Sequence, residues 1–184
     1  MLRRCDHSLF VEFKGIFHVT DPDLLDVMGF EGPSTWVLVT EFVQGREFSF
    51  DSITLHGGHV FHNICCYYPT PLEVMDNPWI QWCVVLPREL DQPEFEEIHS
   101  LGPKALDALG MWTGMSHMEW FRRHDGSIAI SEVAARPPGA QFVALMGHVL
   151  DVDMHSVFAQ LMVFEDLPVL DALNAIPAKK DLVQ

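Results

Sequence analysis

From Arg46 to Tyr68 the chain reads REFSFDSITLHGGHVFHNICCYY, with apolar and polar residues alternating on both sides of Gly57-Gly58. A period of two marks half-buried strands and the glycine pair marks a turn, so this stretch predicts a β-hairpin. The pattern recurs in MSHMEWFRRHDGSIAISEV, residues 115–133, around Asp125-Gly126. GIFHVTDPDLLDVMG predicts a short strand and then a helix, capped by Thr20 or Asp21, with Pro22 in its first turn. STWVLVTEFV is a β-rich run, apolar enough for a central strand. QPEFEEIHSLGPKALDALG predicts a helix stopped by Gly110, and AQFVALMGHVLDVDMHSVFAQLMVFE predicts a helix in two pieces. Prolines at 69, 71, 78 and 87 predict a long loop around a short strand, and little pattern remains after Leu167. Strands interleaved with helices, without repeats, predict an α+β fold with mostly antiparallel strands.

The second hairpin carries two carboxylates. With Asp125-Gly126 as a two-residue turn, His124 faces Ser127, and counting back along both strands brings Glu119 opposite Glu132. The same count puts His117, Phe121, Ile128, Ile130, Ala134 and Arg136 on their face. Cβ atoms so opposed stand about 5 Å apart, and like charges there are destabilising. A raised pKa on one acid would offset that, as would a divalent cation between them. A three-residue turn would instead send Glu132 to the other face. Arg136, just beyond in AARPPG, is placed to hold a phosphate or carboxylate in a fork, or to pair with a neighbouring acid.

Composition narrows the partners. The 184 residues carry 11 Lys and Arg against 26 Asp and Glu, a formal charge of −15. Nucleic-acid binding depends on neutralising phosphates with cations, so nucleic acid is excluded as a partner, as are anionic membrane surfaces. No apolar run reaches the length of a membrane span. The start MLRRCDHSLF lacks a signal peptide's apolar core, so a cytoplasmic location is the expectation. Cys5, Cys65, Cys66 and Cys83 form no CxxC motif and read as reduced, buried thiols, with Cys65 and Cys66 on opposite strand faces. Among the 10 histidines, His59 and His62 differ by an odd step and fall on opposite faces of an unbroken strand, which argues against zinc. His117-x-Glu119 is the start of a His/carboxylate iron site in a rival reading. Neither a Gly-x-Ser-x-Gly elbow nor a Walker loop is present. Met111, Trp112, Met115, Met118 and Trp120 read as core.

HMEWFRRHDGSIAISEVAARPPG resembles the last core strands of ATP-grasp enzymes, which carry an acid on one strand, a hairpin, an E-x-N-x-R-type stretch and a glycine turn. WVLVTEFVQGREFSFD is similar to that family's hinge segment, and GIFHVTDPDLL to the end of its glycine-rich loop with the strand and helix that follow. The resemblance implies an ATP-grasp-like α+β fold in two lobes with the N-terminal lobe incomplete. Residues 1–43 would be a remnant of the small lobe, 44–167 the large lobe with a metal-binding hairpin, and 168–184 a tail. It implies ATP and Mg²⁺ (or Mn²⁺) as cofactors, a small carboxylate and an amine as substrates, and it is compatible with a homodimer. Around Phe42, the Glu41 C=O and the Val43 N–H would read the adenine edge, and Glu47 would hold the ribose hydroxyls. Glu119 and Glu132 would bind the metal, and Arg136 would steady the acyl phosphate or the acceptor.

The implied activity is ATP-dependent ligation of a carboxylate to an amine or thiol. The alternatives are a non-catalytic ATP-grasp interaction domain and a His/carboxylate metal-dependent enzyme of another class. Two departures bear on it. Ala134 stands where the family has a metal-loop Asn. The family's two phosphate-binding lysines have no counterpart in MLRRCDHSLFVEFKG, where Lys14 abuts Gly15 at the far end of the loop. The chain is therefore expected to be the C-terminal part of a larger ligase, or a truncated relative, inactive alone.

Overall fold

The computed structural model describes residues 10–28 and 30–174. The expectations for Cys5 and for the chain's two ends lie outside them. Strand β1 (Phe13–Val19), helix α1 (Pro22–Val27) and strand β2 (Thr35–Thr40) form a small unit in which β1 and β2 pair antiparallel. The Asp21 carboxylate caps α1 by accepting from the Asp23 and Leu24 N–H groups. β2 was expected to be central but has one neighbour in a two-stranded sheet, and Trp36 and Leu38 on it are 69% and 64% exposed. Apolar character reports burial or a missing partner, and cannot say which.

The rest of the chain builds β3 (Gly45–Leu55), β4 (Gly58–Tyr68), α2 (Pro71–Asp76), β5 (Cys83–Val85), α3 (Glu96–Ala108), β6 (Gly114–Arg123), β7 (Ile128–Ala134), α4 (Phe142–Leu150), α5 (Met154–Phe164) and α6 (Leu170–Asn174). Five strands make one antiparallel sheet in the order β5-β4-β3-β6-β7. The β3–β4 turn is His56-Gly57, one residue earlier than the glycine pair suggests, and both have positive φ (51° and 76°) as a type I′ turn requires. Within the expected loop, Thr70 and Glu73 close a capping box that starts α2.

One face of the sheet carries Phe48, Phe50, Met118, Trp120, Ile128 and Ile130 against Ile98, Ala105 and Leu106 of α3. Gly102 lets the helix lie on Phe50, because a Cβ there would come within 2.8 Å of the ring. On the other face Ile53, Phe61 and Met115 pack under α4 and α5 through Met146, Leu150, Val157 and Leu161. No single helix among the described residues is long and apolar enough to cross a membrane.

Three histidines clamp α3 to the sheet. The register shifts between Ile53, which faces Phe61, and Thr54, which faces His59, so Val60 bulges. The bulge puts His59 and His62 on one side, contrary to the expectation for an unbroken strand. His59 Nε2 lies 2.8 Å from His62 Nδ1, His62 Nε2 lies 2.7 Å from His99 Nδ1, and His99 Nε2 lies 2.7 Å from the Leu90 carbonyl. A carbonyl only accepts, so His99 Nε2–H donates to it, and each ring upstream donates to the next. His59 Nδ1 ends the row as a buried lone pair without a partner among the described residues.

Burial, and then the charges of His59 and His99, push His62 down to about 3. Its folded pKa thus lies below the unfolded value of 6.5, and between the two the unfolded chain binds more protons. This group's stability is complete above pH 6.5 and is lost as pH falls toward 3. His62→Phe, which keeps the volume without the proton site, should flatten the fall of the urea midpoint across that window. Gly102→Ala should lower stability by about 1–3 kcal/mol through overpacking against Phe50, measured by urea unfolding.

Candidate functional site

Strand β3 turns Phe48 and Phe50 to the α3 side and lays Glu47, Ser49 and Asp51 on the face that α4 and α5 cover only in part. Each of these three starts a rung across the sheet. Ser49 pairs with Cys65 on β4 and Glu119 on β6, and Glu119 with Glu132 on β7. Asp51 pairs with Asn63 and His117, and His117 with Ala134. Glu47 pairs with Phe121; Tyr67, one residue beyond the Phe48–Cys66 pair, comes next to it and in turn pairs with Val84.

The opposed acids arise differently from the expectation. The hairpin closes through a three-residue loop: the Arg123 N–H donates to the Ser127 carbonyl (2.8 Å), the Gly126 N–H to the Arg123 carbonyl (2.9 Å), and Gly126 has φ 87°. Asp125 secures the loop by accepting from the Ser127 N–H and Oγ at 2.9 and 2.7 Å. This loop sets Trp120 opposite Ile130, and alone it would carry Glu132 to the other face. A bulge at Ser131, whose Oγ donates to the Glu119 carbonyl at 3.1 Å, restores the pairing of Glu119 with Glu132. Ile128 and Ile130 consequently lie on the α3 side, not beside the acids.

Asp51 and His117 organise the interior end. His117 Nδ1 stands 2.6 Å from Asp51 Oδ1, and Nε2 stands 3.6 Å from Glu119 Oε1. Asp51 Oδ2 accepts from Ser49 Oγ (2.9 Å) and from the Cys65 thiol (3.5 Å). Burial alone would lower the His117 pKa, but the hydrogen bonds and charges of Asp51 and Glu119 outweigh it and hold the imidazole up to about 9. Burial, followed by the Glu119 charge, lifts Glu47 to about 7, and the same two causes raise the Tyr67 phenol. Sequence reasoning missed the roles of Asp51, Ser49 and Tyr67. The signal was there: a polar residue at every second position between phenylalanines.

The remaining expected residues scatter around this face. Glu41, in the connector after β2, accepts from Arg123 of β6 (2.5 Å) and from the Glu12 N–H (3.0 Å), so its side chain rivets the small unit to the sheet. The Glu41 C=O and Val43 N–H have no hydrogen-bond partner among the described residues, and Phe42 is exposed. Arg136 follows β7, donates to the Pro137 carbonyl (3.0 Å) and has no ion pair among the described residues. Ala134 offers His117 no polar group. Lys14 pairs with Glu12 at 2.5 Å. Cys65 and Cys66 are buried as expected, whereas Cys83 is exposed.

No cluster of three or more His, Cys, Asp or Glu among the described residues is arranged to hold a metal. Two opposed carboxylates do fit Mg²⁺, which takes one or two from protein and completes its shell with water and phosphate oxygens. A cleft of about 470 Å³ lies elsewhere, by Leu106, Trp112, Val133 and Met162. Its one carboxylate, Glu165, is engaged with His56 at 3.2 Å.

No protein-family model and no curated protein matches the chain. Solved structures do. An L-amino acid ligase from Bacillus licheniformis superposes with TM-score 0.54 and 18% identity over 77% of this chain and 33% of its own. N5-carboxyaminoimidazole ribonucleotide synthetase from Thermotoga maritima gives TM-score 0.54 and 14% identity over 87% and 46%. Phosphoribosylglycinamide synthetase from Anaerococcus prevotii gives 0.53 and 13% over 83% and 45%. The fold is that of the ATP-grasp ligases. The chain spans less than half the length of each of these ATP-grasp chains.

The charges on this ATP-grasp sheet face are coupled, and the coupling is measurable. Glu47 should titrate near pH 7 by carboxyl ¹³C NMR, and Glu119→Gln should bring its midpoint down, leaving only the part due to burial. The sign for stability is opposite to that of His62: an acid with a raised pKa supports the fold below 4.5 and loses that support as pH rises to about 7.

Proposed function

We infer that this chain is the nucleotide- and metal-binding part of an ATP-grasp ligase that activates a carboxylate as an acyl phosphate for attack by an amine or thiol. The observation that carries the reading is the opposed pair Glu119 and Glu132 on a sheet face where Glu47 feels the Glu119 charge, within an ATP-grasp fold. Bound Mg²⁺ would screen the triphosphate charge. Glu119 and Glu132 would hold it, and His117, fixed by Asp51, would keep Glu119 oriented toward it. The unpartnered Glu41 C=O and Val43 N–H suit an adenine edge, and Glu47 suits the ribose hydroxyls. Arg136, without an ionic partner among the described residues, would hold the acyl phosphate or acceptor carboxylate in its fork. In the reaction a carboxylate oxygen bonds to the γ-phosphorus as ADP leaves; the amine nitrogen then bonds to the acyl carbon, loses a proton and expels phosphate.

Triphosphate positioning would be weak, because the family's phosphate-binding lysines have no counterpart among the described residues before β2, where Lys14 abuts Gly15 at the far end of the loop. The affinity for Mg·ATP should therefore be about millimolar, near −4 kcal/mol, by calorimetry, and Glu47→Ala should weaken it further. Tight binding indifferent to Glu47 would contradict the assignment. In thermal melts the wild type should gain about 2.7 kcal/mol at a hundredfold excess of Mn²⁺ over Kd, and Glu119→Gln and Glu132→Gln should lose that gain while holding or raising metal-free stability. If both variants are less stable without metal and the wild type ignores Mn²⁺, the acids are structural and the ligase reading fails.

A further inference from the structure

The acids occupy one part of the open face; the part beside them is aromatic. Tyr67 is buried to 4% exposure on the rung that carries Glu47, and two residues back on β4 Cys65 shares the Ser49–Glu119 rung, so the two parts adjoin. The Phe142 ring, at the start of α4, has its centroid 6.0 Å from that of Tyr67 and 5.8 Å from that of His117, linking the aromatic part to the His117 end of the acids. Val84 and Leu86 pack behind. Trp82 lies on Tyr67 with ring centroids 5.8 Å apart and planes at 25°, and it is still 44% exposed. One flank of that indole is supported by a buried ring and much of the rest faces solvent. Trp79, three residues earlier, is 75% exposed and has no ring partner among the described residues.

We propose that this site, on the ligase reading above, accepts an amino acid with a large apolar side chain, aromatic above all, and that Trp82 selects it. An amino acid supplies either reacting group of the ligation, the carboxylate or the amine. Its polar end belongs with the cation-seeking acids and Arg136. Its side chain then has two surroundings to choose from. Glu119 and Glu132 repel an acidic side chain, and a small one leaves Trp82 wet. A ring stacks on the indole with its offset geometry already set by Tyr67 beneath, which adds stacking to the removal of apolar surface from water. Trp82 is thus a specificity residue placed at the sheet edge, while the acids and His117 serve the reacting groups.

The test uses the whole chain and measures L-phenylalanine and L-alanine binding by calorimetry and by the shifts of the Trp82 indole resonance, with and without a non-hydrolysable Mg·ATP analogue. L-Phenylalanine should bind at least about tenfold more tightly than L-alanine. Trp82→Ala should abolish that preference, Trp82→Phe should retain most of it, and Trp79→Ala should leave it unchanged. Thermal melts of each variant identify loss of preference through unfolding, and the Phe variant keeps the comparison informative if the Ala variant fails to fold. Equal binding of the two amino acids, a preference that survives Trp82→Ala in folded protein, or a shift confined to Trp79 overturns the proposal. Nucleotide binding is followed separately, by calorimetry of the Mg·ATP analogue against wild type and Glu47→Ala and by the broadening of the protein's own carboxyl ¹³C lines of Glu119 and Glu132 that Mn²⁺ causes only when it binds at the pair. Broadening without phenylalanine selectivity sinks the Trp82 subsite and leaves the ligase reading; selectivity without broadening supports the subsite and sinks the ligase reading.

Discussion

Asp51 is a carboxylate with 1% of its surface exposed, in the central strand of the five-stranded sheet. A buried charge is tolerable only with a partner and with its lone pairs occupied. Ser49, two residues back on the same strand, gives one hydrogen bond, Cys65 across the β4 edge gives a weaker one, and His117 across the β6 edge gives the ionic one. Meeting that demand fixes the orientation of the His117 ring, and the ring's second nitrogen then looks at Glu119. The acids at the open end are therefore positioned from the buried end outward. Phe142, edge-on to His117, ties the start of α4 to the same point.

The open face carries more negative charge than the one imidazolium beside it neutralises. A folded sheet that keeps Glu47, Glu119 and Glu132 together holds a standing attraction for cations, and burial, with the Glu119 charge added to it, lets Glu47 keep its proton to about pH 7. The pH response of the whole molecule is then a superposition of opposed trends. His62 on the α3 side gives up stability as the solution becomes acid, whereas Glu47 regains it over part of the same range. His117 adds a third component, favourable below 6.5 and fading toward about 9. A flat pH profile in this protein would reflect cancellation between the two sheet faces and not an absence of titrating groups.

Much of this was legible in the chain. The alternation in REFSFDS fixes which side chains share a face, and the Gly57-Gly58 and Asp125-Gly126 pairs mark both hairpins, the first of them one residue late. What period-two reading misses is the insertion of a single residue. The bulge at Val60 reverses the relation of His59 to His62, and the bulge at Ser131 undoes the shift imposed by the three-residue loop. The facing of Glu119 and Glu132 was thus expected on a turn geometry the hairpin does not have. Bulges depend on contacts to neighbouring strands and helices, here Phe50 under His62 and Glu119 beside Ser131, and those are tertiary facts. The apolar run of β2 likewise states that a strand wants cover without stating where the cover comes from.

The row of imidazoles has a direction, set by one carbonyl. Because Leu90 can only accept, the proton positions of His99, His62 and His59 are decided together, and no ring can change tautomer alone without setting two lone pairs or two hydrogens against each other. Such a row looks like a proton wire, but passing one proton along it would reverse every ring and leave the Leu90 oxygen facing a lone pair. It behaves instead as a lock with a single setting: helix α3 is held in one register against β4 by a pattern of hydrogens that has no second arrangement of comparable energy.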